Sequence, residues 1–180
     1  MIKAISRSKV ALAGTGLAAA AGITALGLSH PAGADAAPSA RPAITQQTPV
    51  LTVDAASKAA QAALDAAEKD GQHVTVTVVD RSGNVKVSLA GDGAGPQTAS
   101  SAREKAFTAA SFNAKTSDLS SRVTGKGATL RDMDGTLFLP GGVPVTVQGS
   151  PVAGIGVGGA PDGSLDEKYA SAGLAAIQPR

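Results

Sequence analysis

In residues 73–80, HVTVTVVD, Val74, Val76 and Val78 alternate with Thr75 and Thr77, the period of a half-buried strand. DRSGN (80–84) is a turn, and VKVSL (85–89) returns beside the first run, so the two predict a hairpin. The pattern recurs later. Val143, Val145 and Val147 alternate, Gln148-Gly149 turns the chain, and Val152 to Val157 runs back. Helical stretches separate the hairpins. DAASKAAQAALDAAEK (54–69) is alanine-rich throughout, with Thr52 or Asp54 to cap its start and Gly71 suited to its end. After the break GDGAGPQ (91–97), Thr98 is placed to cap a helix whose face includes Ala102, Ala106, Phe107, Ala109 and Ala110. A shorter helix follows, with Thr116 or Ser117 as cap and Leu119 and Val123 turned inward. Residues 124–136 read as a long loop of the kind that often carries function, and SLDEKYASAGLAAI (164–177) as the last helix.

The order is helix, hairpin, two helices, loop, hairpin, helix. Two hairpins without strand–helix–strand alternation indicate an α+β domain on an antiparallel sheet. That order decides the meaning of Gly154-x-Gly156-x-x-Gly159, the spacing of a dinucleotide-binding loop. Such a loop needs a helix directly after its third glycine and a second parallel strand beyond it. Here Ala160-Pro161-Asp162-Gly163 follows, and the chain then has room for one helix. Gly154 and Gly156 instead bare one face of a strand, which allows a backbone to approach closely.

The N-terminus changes the charge argument. Lys3, Arg7 and Lys9 precede an uncharged stretch, residues 10–29, and small residues follow at Ala32-Gly33-Ala34 and Ala34-Asp35-Ala36. This is the pattern of a secretory signal peptide over 1–34, removed from the mature protein and leaving no stable membrane insertion. The proline-bearing residues 35–50 read as a flexible tether, and 51–180 as the folded domain. The leader holds three of the 16 basic residues and none of the 14 acidic ones, so the remainder has one more acid than base. With no basic stripe, three phenylalanines and one tyrosine, nothing favours a nucleic-acid partner. The absence of cysteine excludes thiolate catalysis, cysteine-ligated zinc and iron–sulfur clusters. No Walker, HExxH, GxSxG or EF-hand pattern is present.

Three motifs occur in series: Val78-Val79-Asp80-x-x-Gly83, Arg103-x-Lys105-Ala106-x-Thr108-Ala109-Ala110-x-Phe112, and Pro140-Gly141-Gly142-Val143-Pro144 with its hairpin. In these, and across residues 51–177, the chain resembles the GlcG/HbpS family, whose domain also forms the C-terminal part of PduO-type proteins. The resemblance implies an α-β-α layered, profilin-like domain with helices on an antiparallel sheet of about five strands. It implies a homo-oligomer, an octamer being the family expectation, that binds haem and iron. With a leader attached, it further implies a secreted protein that contacts the extracellular part of a sensor histidine kinase in haem and oxidative stress and slowly degrades haem. The alternative is an oligomeric module of the same type whose small-molecule ligand is not haem.

Given haem, the usual axial ligand types beyond residue 34 are His73, Met133 and Tyr169. His73 is either a turn histidine or a ligand, and Met133 either packs or ligates. Tyr169 is better suited to packing its ring. The resemblance matches Thr116 to a haem contact, while its position also suits a helix cap. Arg103 and Lys105 can pair with haem propionates or with neighbouring acids, and Phe112 can flank a porphyrin or fill the core. For iron, the hard-ligand candidates are Asp132 and Asp134 in the loop, Asp162, Asp166 and Glu167 at the start of the last helix, and His73. Acids at a helix start also serve its dipole without any metal.

Overall fold

The structure, a computed structural model, describes residue 44 and residues 47–124 and 129–179. The expected leader and most of the expected tether lie outside the described residues. No helix among the described residues is long and apolar enough to cross a membrane.

Helix α1 (Val53–Lys69) begins where the Thr52 hydroxyl accepts the Ala55 N–H. It ends in a left-handed Gly71 (φ +68°), with the Gly71 and Gln72 N–H groups donating to the Glu68 and Ala67 carbonyls. Strands β1 (Thr75–Asp80) and β2 (Val85–Ala90) form the first hairpin. Helices α2 (Thr98–Phe112) and α3 (Thr116–Leu119) follow, then 3₁₀ turns at Ser120–Val123 and Leu130–Asp132. Strands β3 (Gly142–Val147) and β4 (Ser150–Gly158) form the second hairpin, and α4 (Gly163–Ile177) closes the domain. The β3–β4 loop is Gln148-Gly149, both at positive φ (50° and 78°), the two-residue turn whose twist matches that of its strands.

The strands pair antiparallel in the order β2-β1-β4-β3, so the α+β reading holds with four strands among the described residues where about five were expected. Between α3 and β3 the described chain makes a capped 3₁₀ turn and a left-handed Gly135, neither of which can pair as strand. Two helix starts also differ from expectation. Thr98 does not cap α2. Its hydroxyl donates to the Gly95 carbonyl and meets the Thr75 hydroxyl at 2.7 Å, because Thr75 is buried beneath α2 and needs a polar partner. Thr116 is likewise inside its helix, with Lys115 at the cap position.

The sheet separates two unlike layers. On one face Val76, Val78, Val143, Ile155 and Val157 pack against the alanines of α1, and Tyr169 of α4 lies in the same core. There the α1 and α4 backbones come close at Gly173, where a Cβ would stand 2.6 Å from the Ala59 carbonyl oxygen. On the other face Gly154, Gly156 and Gly158 form a bare stripe along β4, and α2 lies directly on it. A Cβ at Gly154 or Gly156 would fall within the Ala106 or Ala102 carbonyl, backbone that has no room to move. The glycines are therefore a packing face, as the sequence indicates. Gly156→Ala should lower stability by about 3 kcal/mol or more. A urea midpoint unchanged from wild type would mean that α2 does not rest on β4 as described.

The end of α1 is tied to α4 by polar contacts. The fully buried Tyr169 donates its hydroxyl to Asp70 Oδ2 at 3.0 Å, and Lys168 reaches the same oxygen at 2.6 Å. The Lys168 and Tyr169 hydrogen bonds hold the Asp70 carboxyl below its ordinary 3.8. A carboxyl depressed on folding contributes stability above its unfolded value and loses it as pH falls through the folded value. Asp70→Asn should therefore reduce stability at neutral pH and flatten its decline below about pH 4. Acid unfolding curves that superimpose with wild type would exclude this contribution.

Candidate functional site

Two of the three sequence motifs, Arg103–Phe112 and Pro140–Pro144, meet near the end of the sheet from which α4 departs; the first lies at the opposite end of β1, with Asp80 paired to Ala153 and Gly83 against the Phe107 ring. Because α2 lies so close to β4, Lys105 cannot turn outward along the sheet and is carried inside, with 3% of its surface exposed. Its ammonium donates to Asp166 Oδ2 at 2.6 Å and to the Val157 carbonyl at 3.0 Å. Asp166, equally buried, accepts the Ala160 N–H at 3.0 Å on its other oxygen. Burial pushes the Asp166 carboxyl above the ordinary carboxylate range, while the Lys105 hydrogen bond and charge and the Ala160 and Gly159 amides act against that rise. Gly141 (φ +128°) closes over the pair. A side chain there would stand 2.9 Å from the Lys105 ammonium nitrogen. Beside it, the Gly142 N–H donates to the buried Thr116 hydroxyl at 2.9 Å, so the Pro140–Pro144 motif is hydrogen-bonded to α3 while Gly142 packs against the Lys105 carbonyl of α2. A depression of about 300 Å³ opens above the ion pair, walled by Gln97, Ser101, Pro140 and Ala160.

A neighbouring depression of about 270 Å³ is lined by Glu68, Gln72, His73 and Asp92. His73 is exposed, and its Nδ1 lies 2.6 Å from the Asp92 backbone oxygen. A carbonyl only accepts, so Nδ1 carries the proton and Nε2 of the neutral ring keeps its lone pair. The His73 main chain leads towards the first depression, since its carbonyl abuts Gly159.

The remaining predicted residues are dispersed. Arg103 is exposed on α2 without an ion pair among the described residues. The Phe112 ring packs against Phe138, centroids 5.8 Å apart and planes at 56°. Met133 is half exposed beyond the 3₁₀ turn. Asp132 caps that turn by accepting the Thr129 N–H at 2.6 Å, and Asp134 is exposed. The acids of α4 point apart. Asp162 caps the helix through the Ser164 N–H, whose hydrogen bond lowers its pKa, and Asp166 faces inward to Lys105. Glu167 takes Lys115 at 3.2 Å with one oxygen and has no partner for the other among the described residues. No group of three or more His, Asp or Glu side chains converges as a metal site among the described residues. The Asp92 carbonyl and Gly141 were not anticipated from sequence, since a backbone acceptor and a cover over an ion pair leave no motif.

Removing one partner of a buried ion pair leaves the other charge unpaired, which costs about 3–5 kcal/mol. Lys105→Met should show a loss of that size in urea unfolding. Adding Asp166→Asn, which keeps an acceptor for the Ala160 N–H, should recover much of it. A double variant no more stable than the single one would contradict the pairing.

Residues 51–175 match the family model described as "Haem degrading protein HbpS-like". Among solved structures, the chain is similar to a double mutant of HbpS from Streptomyces reticuli, at 59% identity and a TM-score of 0.74, over 80% of this chain and 99% of that one. It is similar to Klebsiella pneumoniae protein ORFY at 25% identity and 0.69, over 74% and 94% of the two chains. It also shares its fold with PduOC, solved as a haem complex, at 24% identity and 0.66, over 71% and 95%. No curated protein matches the chain.

Proposed function

This chain belongs to the HbpS-like family of haem-degrading proteins, and from that membership we propose that it is a haem-binding protein in which His73 supplies the axial ligand. The observation that carries the assignment is the His73 ring. Its Nδ1–H is committed to the Asp92 carbonyl, which leaves the Nε2 lone pair for a metal, and the exposed residue lines a depression. The donor set therefore fits the group. The bound haem would supply a redox-active iron, and the chain's part is to fix the ring and hold the porphyrin edge. A depression of about 270 Å³ takes only part of a porphyrin, which favours a site completed by a second copy in a homo-oligomer, an octamer in our reading. Thr116 is less suited to reach iron, because its hydroxyl is fully buried against Gly142. Lys105 is turned to Asp166, which leaves Arg103 as the better propionate partner of the two.

On this reading the leader exports the protein, which then works outside the cell or at the cell wall. It binds haem and iron there, signals to the extracellular part of a membrane sensor histidine kinase under haem or oxidative stress, and breaks haem down slowly. The uncharged stretch 10–29 followed by Ala32-Gly33-Ala34 supports export. A second reading, a GlcG-type module with a non-haem ligand, is favoured by the depression over Lys105 and Asp166, whose Gln97 and Ser101 walls suit a small polar molecule.

Haem titration followed at the Soret band separates the two. Saturable binding by wild type, weakened tenfold or more in His73→Ala (on the order of the loss of one metal ligand's contribution) and retained in Thr116→Ala, is expected. Weak, unsaturable absorbance changes in wild type would remove haem and favour the second reading.

A further inference from the structure

We infer that the turn Gly91–Ala94 is a positioning element for His73, holding the imidazole in its Nδ1–H form with Nε2 directed outward; for haem binding, this rests on the function proposed above. The β1–β2 ladder pairs Thr75 with Ala90, so the same register continued outward sets His73 opposite Asp92. The Gly91 N–H donates to the Val74 carbonyl at 2.9 Å and the Ala94 N–H to the Gly91 carbonyl at 3.0 Å. The turn is thus hydrogen-bonded to the residue next to His73, and the Asp92 carbonyl and the imidazole share one rigid frame. Gly93 completes it from the side. Its φ is +78°, and a Cβ there would stand 3.2 Å from Nδ1 and 3.4 Å from Cγ. The ring has a carbonyl at its proton and a backbone wall against its face.

A glycine away from the depression supplies the control. Gly149, in the β3–β4 turn, has the same left-handed φ of +78°, but a Cβ there would meet nothing within 4 Å. Asparagine tolerates the left-handed region better than other side chains, so Gly93→Asn and Gly149→Asn carry comparable backbone strain. Only the first crowds the imidazole.

The ring nitrogens of the haem-free protein, labelled with ¹⁵N and assigned by loss of signal in His73→Ala, report the tautomer at about pH 8.5, where imidazoles are neutral. Histidine free in water favours Nε2–H, so a pyrrole-type Nδ1 and pyridine-type Nε2 at His73 would register the Asp92 carbonyl. That result is expected in wild type and Gly149→Asn, with a shift towards Nε2–H in Gly93→Asn. In haem titration Gly93→Asn should bind on the order of ten- to a hundredfold more weakly than Gly149→Asn. An Nε2–H form in wild type, which needs no variant to observe, overturns the inference. So does Gly93→Asn binding haem as tightly as Gly149→Asn. His73→Ala binding haem like wild type, with the Nδ1–H form present in wild type, overturns the axial-ligand reading instead and leaves the turn's hold on the ring standing.

Discussion

The close approach of α2 to β4 is the constraint from which the rest of the domain follows. Two backbones meet with almost no side-chain matter between them, Ala102 and Ala106 on one side and Gly154 and Gly156 on the other. A helix seated this low on a sheet leaves a long side chain on its inner face no way out except along the groove. Lys105 is that side chain, and its buried charge then requires an acid. Asp166 meets the requirement from α4, which belongs to the opposite layer. The ion pair joins the two layers around the end of the sheet, and the Pro140–Pro144 segment needs its bare Gly141 to pass over it.

The sheet's two faces use different physics. On the α1 and α4 side, valines and alanines bury apolar surface. On the α2 side, threonine hydroxyls and glycine backbone replace them, with Thr75 bonded to Thr98 and Thr77 to Ser88. Polar groups are tolerated there because each hydroxyl has a partner within reach. The candidate haem ligand lies at the border of these layers, where the first hairpin ends and the chain turns towards α2.

The hairpins and long helices were legible because their signals are local: valine alternation, alanine runs and a Gln-Gly turn. The glycine stripe could be read as a packing face from its alternation with Ile155 and Val157. What sequence missed was long-range. Thr98 and Thr116 look like caps, and local chemistry would make them so, but distant partners, Thr75 and Gly142, take their hydroxyls. Lys105 and Asp166 stand 61 residues apart, and no local pattern joins them. The facing of His73 and Asp92 needs the hairpin register. Counting back from the 80–84 turn misplaces that register by one, because a bulge shifts the ladder between Val78 and Val79.

The composition of the α1 and α4 core bears on how stability varies with temperature. Its buried members are mostly alanine and valine, with Ala56, Ala59, Ala60, Ala63 and Ala67 supplying the whole inner face of α1 apart from Leu64. Alanine methyls expose little apolar surface when the chain opens, and the heat-capacity increment of unfolding scales with that surface. A domain held by close backbone contact therefore has a broad, shallow stability curve. It changes less between cold and warm conditions than one of equal length built on leucine and phenylalanine.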